Sequence, residues 1–300
     1  MNTLKTITYF SIFQYPLTLE EIFNYSDIKE KETLAKELTT LKSKGVIYNT
    51  EGYYSDSNNK EIIVRREKGN KKAEEIMPKA WKIAKFIAKF PYVKSVCISG
   101  SLSKGYFEDE SDIDFFIIIE KNRLWVARTL LMSYKKVFLL NSNKFFCINY
   151  FMSSGYLEID EKNRFTATEI ATLIPMYGKS TFEKFLEKNK WVYDFFPNFV
   201  RDNSHVKNIT KNLFSKNLER ILNTKLGDFF EQFFMKITIK RWNSKFNHLS
   251  KKDFEIAFKS SENVSKSHPR NFQNKVLNLL NEKYKEIEKK HNIKFTPENV

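Results

Sequence analysis

Apolar positions recur along this chain in three successive patterns, each predicting a different kind of structure. The opening stretch follows a helical period interrupted by turn residues. Thr6–Phe13 reads as a first helix, stopped at Tyr15-Pro16 because the residue before a proline is pushed out of helical geometry. Thr18-Leu19-Glu20-Glu21 has the spacing of a capping box and starts a second helix that runs to Tyr25. Leu34, Leu38 and Leu41 give a third helix, Lys29–Lys44, one apolar face, and Gly45 ends it. Val46–Tyr48 and Gly52–Tyr54 then flank Asn49-Thr50-Glu51 as a hairpin. Three short helices followed by a hairpin predict a winged helix-turn-helix over residues 1–58.

The pattern changes after a polar junction from Asn58 to Lys72. A helix over Lys71–Phe90 closes at Pro91 and leads into short, continuous apolar runs. Val93–Ile98, Ile113–Ile119 and Phe145–Phe151 read as strands buried on both faces, with a helix over Leu124–Leu140 and another starting at Thr166. From residue 179 the helical period returns, predicting helices at Thr181–Lys190, His205–Leu226, Asp228–Asn247 and Phe272–Lys290. The expected class is α+β: a mixed-sheet core with its leading helix at 59–178, between the winged helix and a mostly helical region at 179–300.

Composition narrows the classes. Hydrophobic residues at 41% and aromatics at 15% can fill a sizeable core, which excludes a disordered chain. No apolar run approaches the ~20 residues of a membrane-spanning helix. The start, Met1-Asn2-Thr3-Leu4-Lys5, lacks the apolar block of a signal peptide, so a cytoplasmic protein without a membrane partner is expected. Cys97 and Cys147 lie inside apolar runs and read as core residues, with no disulfide or metal-ligand spacing. The four histidines, 205, 248, 268 and 291, are scattered, and His268-Pro269-Arg270 reads as a surface loop.

The net charge of +15 is uneven: residues 1–200 contribute +5 and residues 201–300 contribute +10. Such a field suits nucleotides, nucleic acid or acidic proteins, although a solvated lysine-rich surface gives the same composition. In the third helix Lys31, Lys36, Lys42 and Lys44 are offset by Glu30, Glu32 and Glu37, and no arginine precedes Arg65. A packing or protein-docking role for the winged helix is therefore favoured over reading DNA. Phe229, Phe230, Phe233 and Phe234 have the spacing of a buried helical face. Lys236, Lys240, Arg241 and Lys245 recur at helical spacing, as a solvated face or the wall of an anionic groove.

One stretch carries chemistry. Gly100 follows a buried strand and lets the backbone approach a phosphate closely. Ser101 adds a hydroxyl at the start of a short helix, and Lys104 lies one turn later toward the same phosphates. Asp112 and Asp114, two apart on a strand, point to one side and would repel each other without a cation. Magnesium, or manganese, suits such oxygen ligands and completes its shell with water and substrate phosphates. A glycine-serine turn beside an Asp-x-Asp clamp describes transfer of a nucleoside monophosphate from an NTP such as ATP, with an acceptor oxygen attacking the α-phosphate in line.

These residues resemble the DNA polymerase β-like nucleotidyltransferase superfamily, including minimal and kanamycin nucleotidyltransferase-like enzymes. The superfamily pattern is Gly-Ser, about ten residues, then Asp-apolar-Asp-apolar; Gly100-Ser101 and Asp112-Ile113-Asp114-Phe115 match it with ten residues between. The resemblance covers residues 92–151. The flanks, Phe13 to Thr18 and Thr166 to Glu169, are similar to a bacterial group of uncharacterised multidomain nucleotidyltransferase-like proteins. The resemblance implies that Gly100 and Ser101 hold the β,γ-phosphates and that Asp112 and Asp114 bind the metal. It also implies that the helical region holds an acceptor, whether small molecule, RNA or protein. The superfamily's third carboxylate sits on the next core strand, where Asn149 is the polar residue; Glu158 and Asp160 are substitutes under a different strand register. Glu169 reads as a helix-start carboxylate. Two rivals stand beside the enzyme: a catalytically silent nucleotide-binding regulator, and a DNA-binding regulator acting through the winged helix.

Overall fold

The computed structural model describes residues 2–267 and 271–298, so His268-Pro269-Arg270 lies outside the described residues. Three helices open the chain, α1 (Asn2–Ser11), α2 (Leu19–Asn24) and α3 (Lys31–Ser43), followed by a hairpin of β1 (Tyr48–Thr50) and β2 (Tyr53–Ser55). The capping box forms: the Glu21 amide donates to the Thr18 hydroxyl at 3.3 Å, and the Thr18 amide donates to the Glu21 carboxylate at 2.8 Å. The turn of the hairpin falls on Glu51-Gly52, both at positive φ, slightly later than the sequence suggests. Leu17 pairs with Tyr54, tying the hairpin to the segment that follows α1.

The expected polar junction is helical. α4 (Glu61–Ile87) starts within it, three residues after Asn58, and runs for 27 residues. Its inner face carries Ile63, Arg66, Gly69 and Ala73, all buried, and two of these four register as polar or as a helix breaker in any hydropathy reading. Arg66 earns that burial by a fork onto the Glu21 carboxylate (2.7 and 2.8 Å) between the rings of Tyr15 and Tyr53. At Gly69 a Cβ would lie 2.1 Å from the Tyr106 ring, so only glycine lets that ring pack here.

The core follows as β3 (Val93–Ser99), α5 (Gly100–Ser103), β4 (Asp114–Ile119), α6 (Leu124–Phe138), β5 (Cys147–Ser153), α7 (Arg164–Thr172) and β6 (Ile174–Tyr177). Then come α8 (Lys179–Lys188), α9 (Val192–Phe195), α10 (Leu213–Leu222), α11 (Lys225–Lys245), α12 (Lys251–Ala257), β7 (Val264–Lys266) and α13 (Phe272–His291). The five-stranded sheet has the order β6-β3-β4-β5-β7. The β4–β5 pair is parallel, joined through α6, and the other neighbours are antiparallel. The architecture is thus mixed α+β.

Two edge strands escape the sequence pattern: β6 contains Pro175, and β7 is a three-residue stretch within the region expected to be helical. The expected His205–Leu226 helix begins only at Leu213, because the Asn212 side chain accepts from the Ser215 amide at 2.8 Å and caps it there. In α11, Phe230 and Phe234 pack toward the core, but Phe229 and Phe233 are exposed, so the four do not form one buried face. Lys236, Lys240, Arg241 and Lys245 are exposed.

Both faces of the sheet are covered. Ile98, Phe115, Ile117 and Phe151 pack under α4, α6 and α11, while Cys97, Phe116, Ile118 and Met152 pack under α7 and α8. The buried Glu231 of α11 accepts from the amides of Trp125 and Val126 at 2.8 and 2.9 Å, satisfying the open start of α6. A third apolar cluster joins Leu4, Ile7, Leu17, Leu34 and Leu38 to Val276, Leu280 and Tyr284 of α13. The opening helices and the last helix therefore share one core. Among the described residues no helix is long and apolar enough to cross a membrane.

Candidate active site

The carboxyl end of β3 and the start of β4 lie side by side, with Ser99 opposite Asp114. Gly100 turns the chain from β3 into α5 at φ +68°, and a Cβ there would sit 2.4 Å from Asp114 Oδ2. Only glycine brings the backbone this close to the carboxylate. Leu102, fully buried, anchors the short helix, and the Ser103 hydroxyl donates to the Gly100 carbonyl at 2.8 Å. Ser101 is left facing a cavity of about 880 Å³, along with Gly100, Lys104, Asp112, Asp114 and Asn149. The structure thus brings together all six residues singled out from the sequence.

Lys104 is engaged. Its ammonium donates to Glu169 at 2.8 Å and to the Gly100 carbonyl at 3.1 Å. Glu169 lies in the middle of α7, which starts at the Asn163 cap, so it is a wall of the cavity rather than a helix-start carboxylate. Asn149 falls at a register shift between β4 and β5, and its amide donates to Asp114 Oδ1 at 2.9 Å. This places an amide beside the aspartates. Asp160 instead binds Lys259 and the Tyr156 hydroxyl, and Glu158 binds Lys162, so neither takes the third position.

The electrostatics match a site that wants a cation. Burial above all, helped by the charges of Asp112 and Glu169 and opposed by Cys147 and Lys104, pushes the Asp114 carboxyl up to about 6. Cys147, directly across from Asp114 in the parallel register, is pushed up to about 12 by its own burial and by Asp114, and remains a thiol. Among the described residues no group of three or more His, Cys, Asp or Glu side chains could hold a metal. Two carboxylates are nevertheless enough for magnesium, which keeps several waters and takes the rest of its oxygens from phosphates. Asp112 and Asp114 fit that requirement.

Other walls come from distant parts of the chain. Phe10, Phe13 and Gln14 enter from the opening helix and the turn after it, Phe165 from α7, Lys266 from β7, and Phe272 and Gln273 from α13. Their sequence neighbourhoods carry no motif, and Lys266 is one of 51 basic residues.

Residues 77–170 match the family model of a nucleotidyltransferase domain. The match runs from within α4 to within α7, and so contains β3, α5, β4, α6 and β5 with Gly100, Ser101, Asp112, Asp114 and Asn149. It leaves out the opening helices, β7 and α13, which supply the outer walls. No curated protein and no solved structure matches the chain.

Proposed function

We propose that the protein is a metal-dependent nucleotidyltransferase that moves a nucleoside monophosphate from an NTP to an acceptor and releases pyrophosphate. The observation that carries this reading is the approach of Gly100 to Asp114 in the wall of the 880 Å³ cavity, within the segment that matches the nucleotidyltransferase domain. Gly100 and Ser101 bind the β,γ-phosphates, and Lys104 exchanges Glu169 for a phosphate oxygen. Asp112 and Asp114 hold the divalent ion, which when bound offsets the charge on the triphosphate. Asn149 fixes Asp114 through its amide and takes no proton. The opening helices and hairpin act as a winged helix whose first helix and following turn wall the cavity.

The amide at position 149 favours one second reading, a regulator that binds Mg²⁺·NTP without turnover, since amides neither ligate as strongly as carboxylates nor act as bases. Thermal shift with each NTP, with and without magnesium, followed by pyrophosphate release across acceptor pools, separates the two. The enzyme gives magnesium-dependent stabilisation and turnover, with turnover at least about a hundredfold lower in Asp112→Asn or Asp114→Asn. Stabilisation without turnover in every pool supports the regulator, and no NTP stabilisation overturns both.

A further inference from the structure

The sheet order sets a direction across the cavity. β3 brings the glycine-serine turn, β4 the aspartates, β5 Asn149, and β7 the next polar side chain, Lys266. Neighbouring strands are spaced ~4.8 Å apart, so Lys266 stands about two strands beyond the aspartates, on the side away from the turn. The register confirms the placement: Lys266 is opposite Tyr150, and the Ser267 amide donates to the Asn149 carbonyl at 2.9 Å. In-line displacement at phosphorus sends pyrophosphate out on one side and admits the acceptor on the other. With the phosphates at the glycine-serine turn, the acceptor enters at Asn149 and Lys266.

Lys266 is 8% exposed, and its ammonium donates to Gln273 at 3.0 Å. Burial holds it below the ordinary lysine range, with Glu161 and Glu169 acting on it at longer range in the opposite direction and Lys259 adding to the burial effect. Each of those carboxylates has its own cation: Glu161 pairs with Lys259 at 3.1 Å and Glu169 with Lys104 at 2.8 Å. Among the described residues Lys266 has no ion-pair partner. A buried ammonium without a carboxylate is costly unless an anion arrives to meet it. The wall beyond it is aromatic: Phe272 lies 6.1 Å from both Phe13 and Phe165, ring centre to ring centre.

We propose that the acceptor is an organic oxyanion, a carboxylate or a phosphate monoester, whose charged group is held by Lys266 and whose apolar body lies against Phe13, Phe165 and Phe272. This rests on the nucleotidyl-transfer reading and names its second substrate. An oxyanion lone pair forms the new bond to the α-phosphorus. The bond from that phosphorus to the oxygen bridging the β-phosphate breaks, and its electron pair leaves with pyrophosphate. No proton is removed from the acceptor at any point, so an amide at position 149 suffices where a neutral hydroxyl would require a base. The product is a mixed anhydride.

The test uses the full chain with magnesium and a non-hydrolysable ATP analogue. Calorimetry first measures binding of the analogue, then of 3-phenylpropionate, phenyl phosphate and the neutral 3-phenylpropan-1-ol. At least one oxyanion is expected to bind about tenfold or more tightly than the alcohol, and Lys266→Met and Lys266→Gln each lose about tenfold of that affinity, while Lys266→Arg retains most of it. Preference for phenyl phosphate or for phenylpropionate decides between the two sources of charge. Binding of neither oxyanion, equal binding of the alcohol, or undiminished oxyanion binding in both neutral variants overturns the proposal. The comparison of probes on the unaltered protein decides even where a variant does not fold. Loss of the analogue's own magnesium-dependent binding overturns the nucleotidyl-transfer reading instead, so the two failures are distinct.

Discussion

Asn149 Nδ2 lies 2.9 Å from Asp114 Oδ1, an amide donor on β5, the strand next to the one that carries the aspartate. Replacing it changes the charge of the site without moving the chain. Asn149→Asp puts a third negative charge beside a carboxyl already held up to about 6 by burial. Without metal the variant is expected to be less stable, by about 1–2 kcal/mol, and to bind magnesium several-fold more tightly. Thermal melts across a magnesium titration check both effects.

Asp114 also sets a pH dependence. Its folded-state carboxyl titrates near 6 against an ordinary value of 3.8, so the folded protein holds a proton that the unfolded chain has already lost. Its contribution to stability is full below about pH 4 and is lost as the pH rises through about 6. Denaturant titrations of the metal-free protein, compared with Asp114→Asn, are expected to differ in slope over this window. Magnesium competes with the same proton, so its affinity rises with pH up to about 6 and then levels.

Gly100→Ala places a methyl 2.4 Å from Asp114 Oδ2 at a backbone φ of +68°. The carboxylate must move and the backbone is strained, which costs about 1–3 kcal/mol of stability. NTP binding is expected to fall about tenfold or more, measured by calorimetry with magnesium present. Ser101→Ala leaves the backbone intact and is expected to lose far less.

Glu169 holds Lys104 at 2.8 Å, so any phosphate that recruits Lys104 has to displace it. Glu169→Gln removes that competition and is expected to tighten Mg²⁺·NTP binding by about threefold to tenfold, whereas Lys104→Met weakens it by a similar factor. Calorimetric titration of both variants with ATP distinguishes this from a purely structural pair, in which both changes would weaken binding.

Arg66 joins α4 to the capping box of α2 through Glu21 and the Pro16 carbonyl. Arg66→Met leaves Glu21 without its cation and is expected to cost about 2–4 kcal/mol, reduced from a fully buried pair because Glu21 is 30% exposed. Chemical denaturation gives the value directly.

Of the six residues singled out from the sequence, all of which line the cavity, Gly100, Ser101, Asp112 and Asp114 are legible from a short local pattern: a glycine bend, a serine, and two aspartates two positions apart. The capping box at Thr18 and Glu21 and the heptad-like leucines of α3 were legible for the same reason. What the sequence hid depends on long-range pairing. β7 is three residues long, and nothing in Val264-Ser265-Lys266 distinguishes a strand from a loop until β5 is beside it. The length of α4 was hidden because Arg66 and Gly69 are inward-facing residues that look outward-facing by type. By sequence position Glu169 falls near a helix start, but the Asn163 cap puts that start upstream, and the carboxylate meets Lys104 instead.

The third apolar cluster bears on how the protein is made. Lys5 donates to the Thr296 carbonyl at 2.7 Å across 291 positions, and Leu4 and Ile7 pack in one cluster with Leu280. During synthesis the opening helices must wait, partly uncovered, until α13 has left the ribosome. Phe13 and Phe272 meet only then. A half-finished chain carries Gly100, Asp112 and Asp114 but lacks Lys266, Phe272 and Gln273, so one side of the cavity closes only when the last helix arrives.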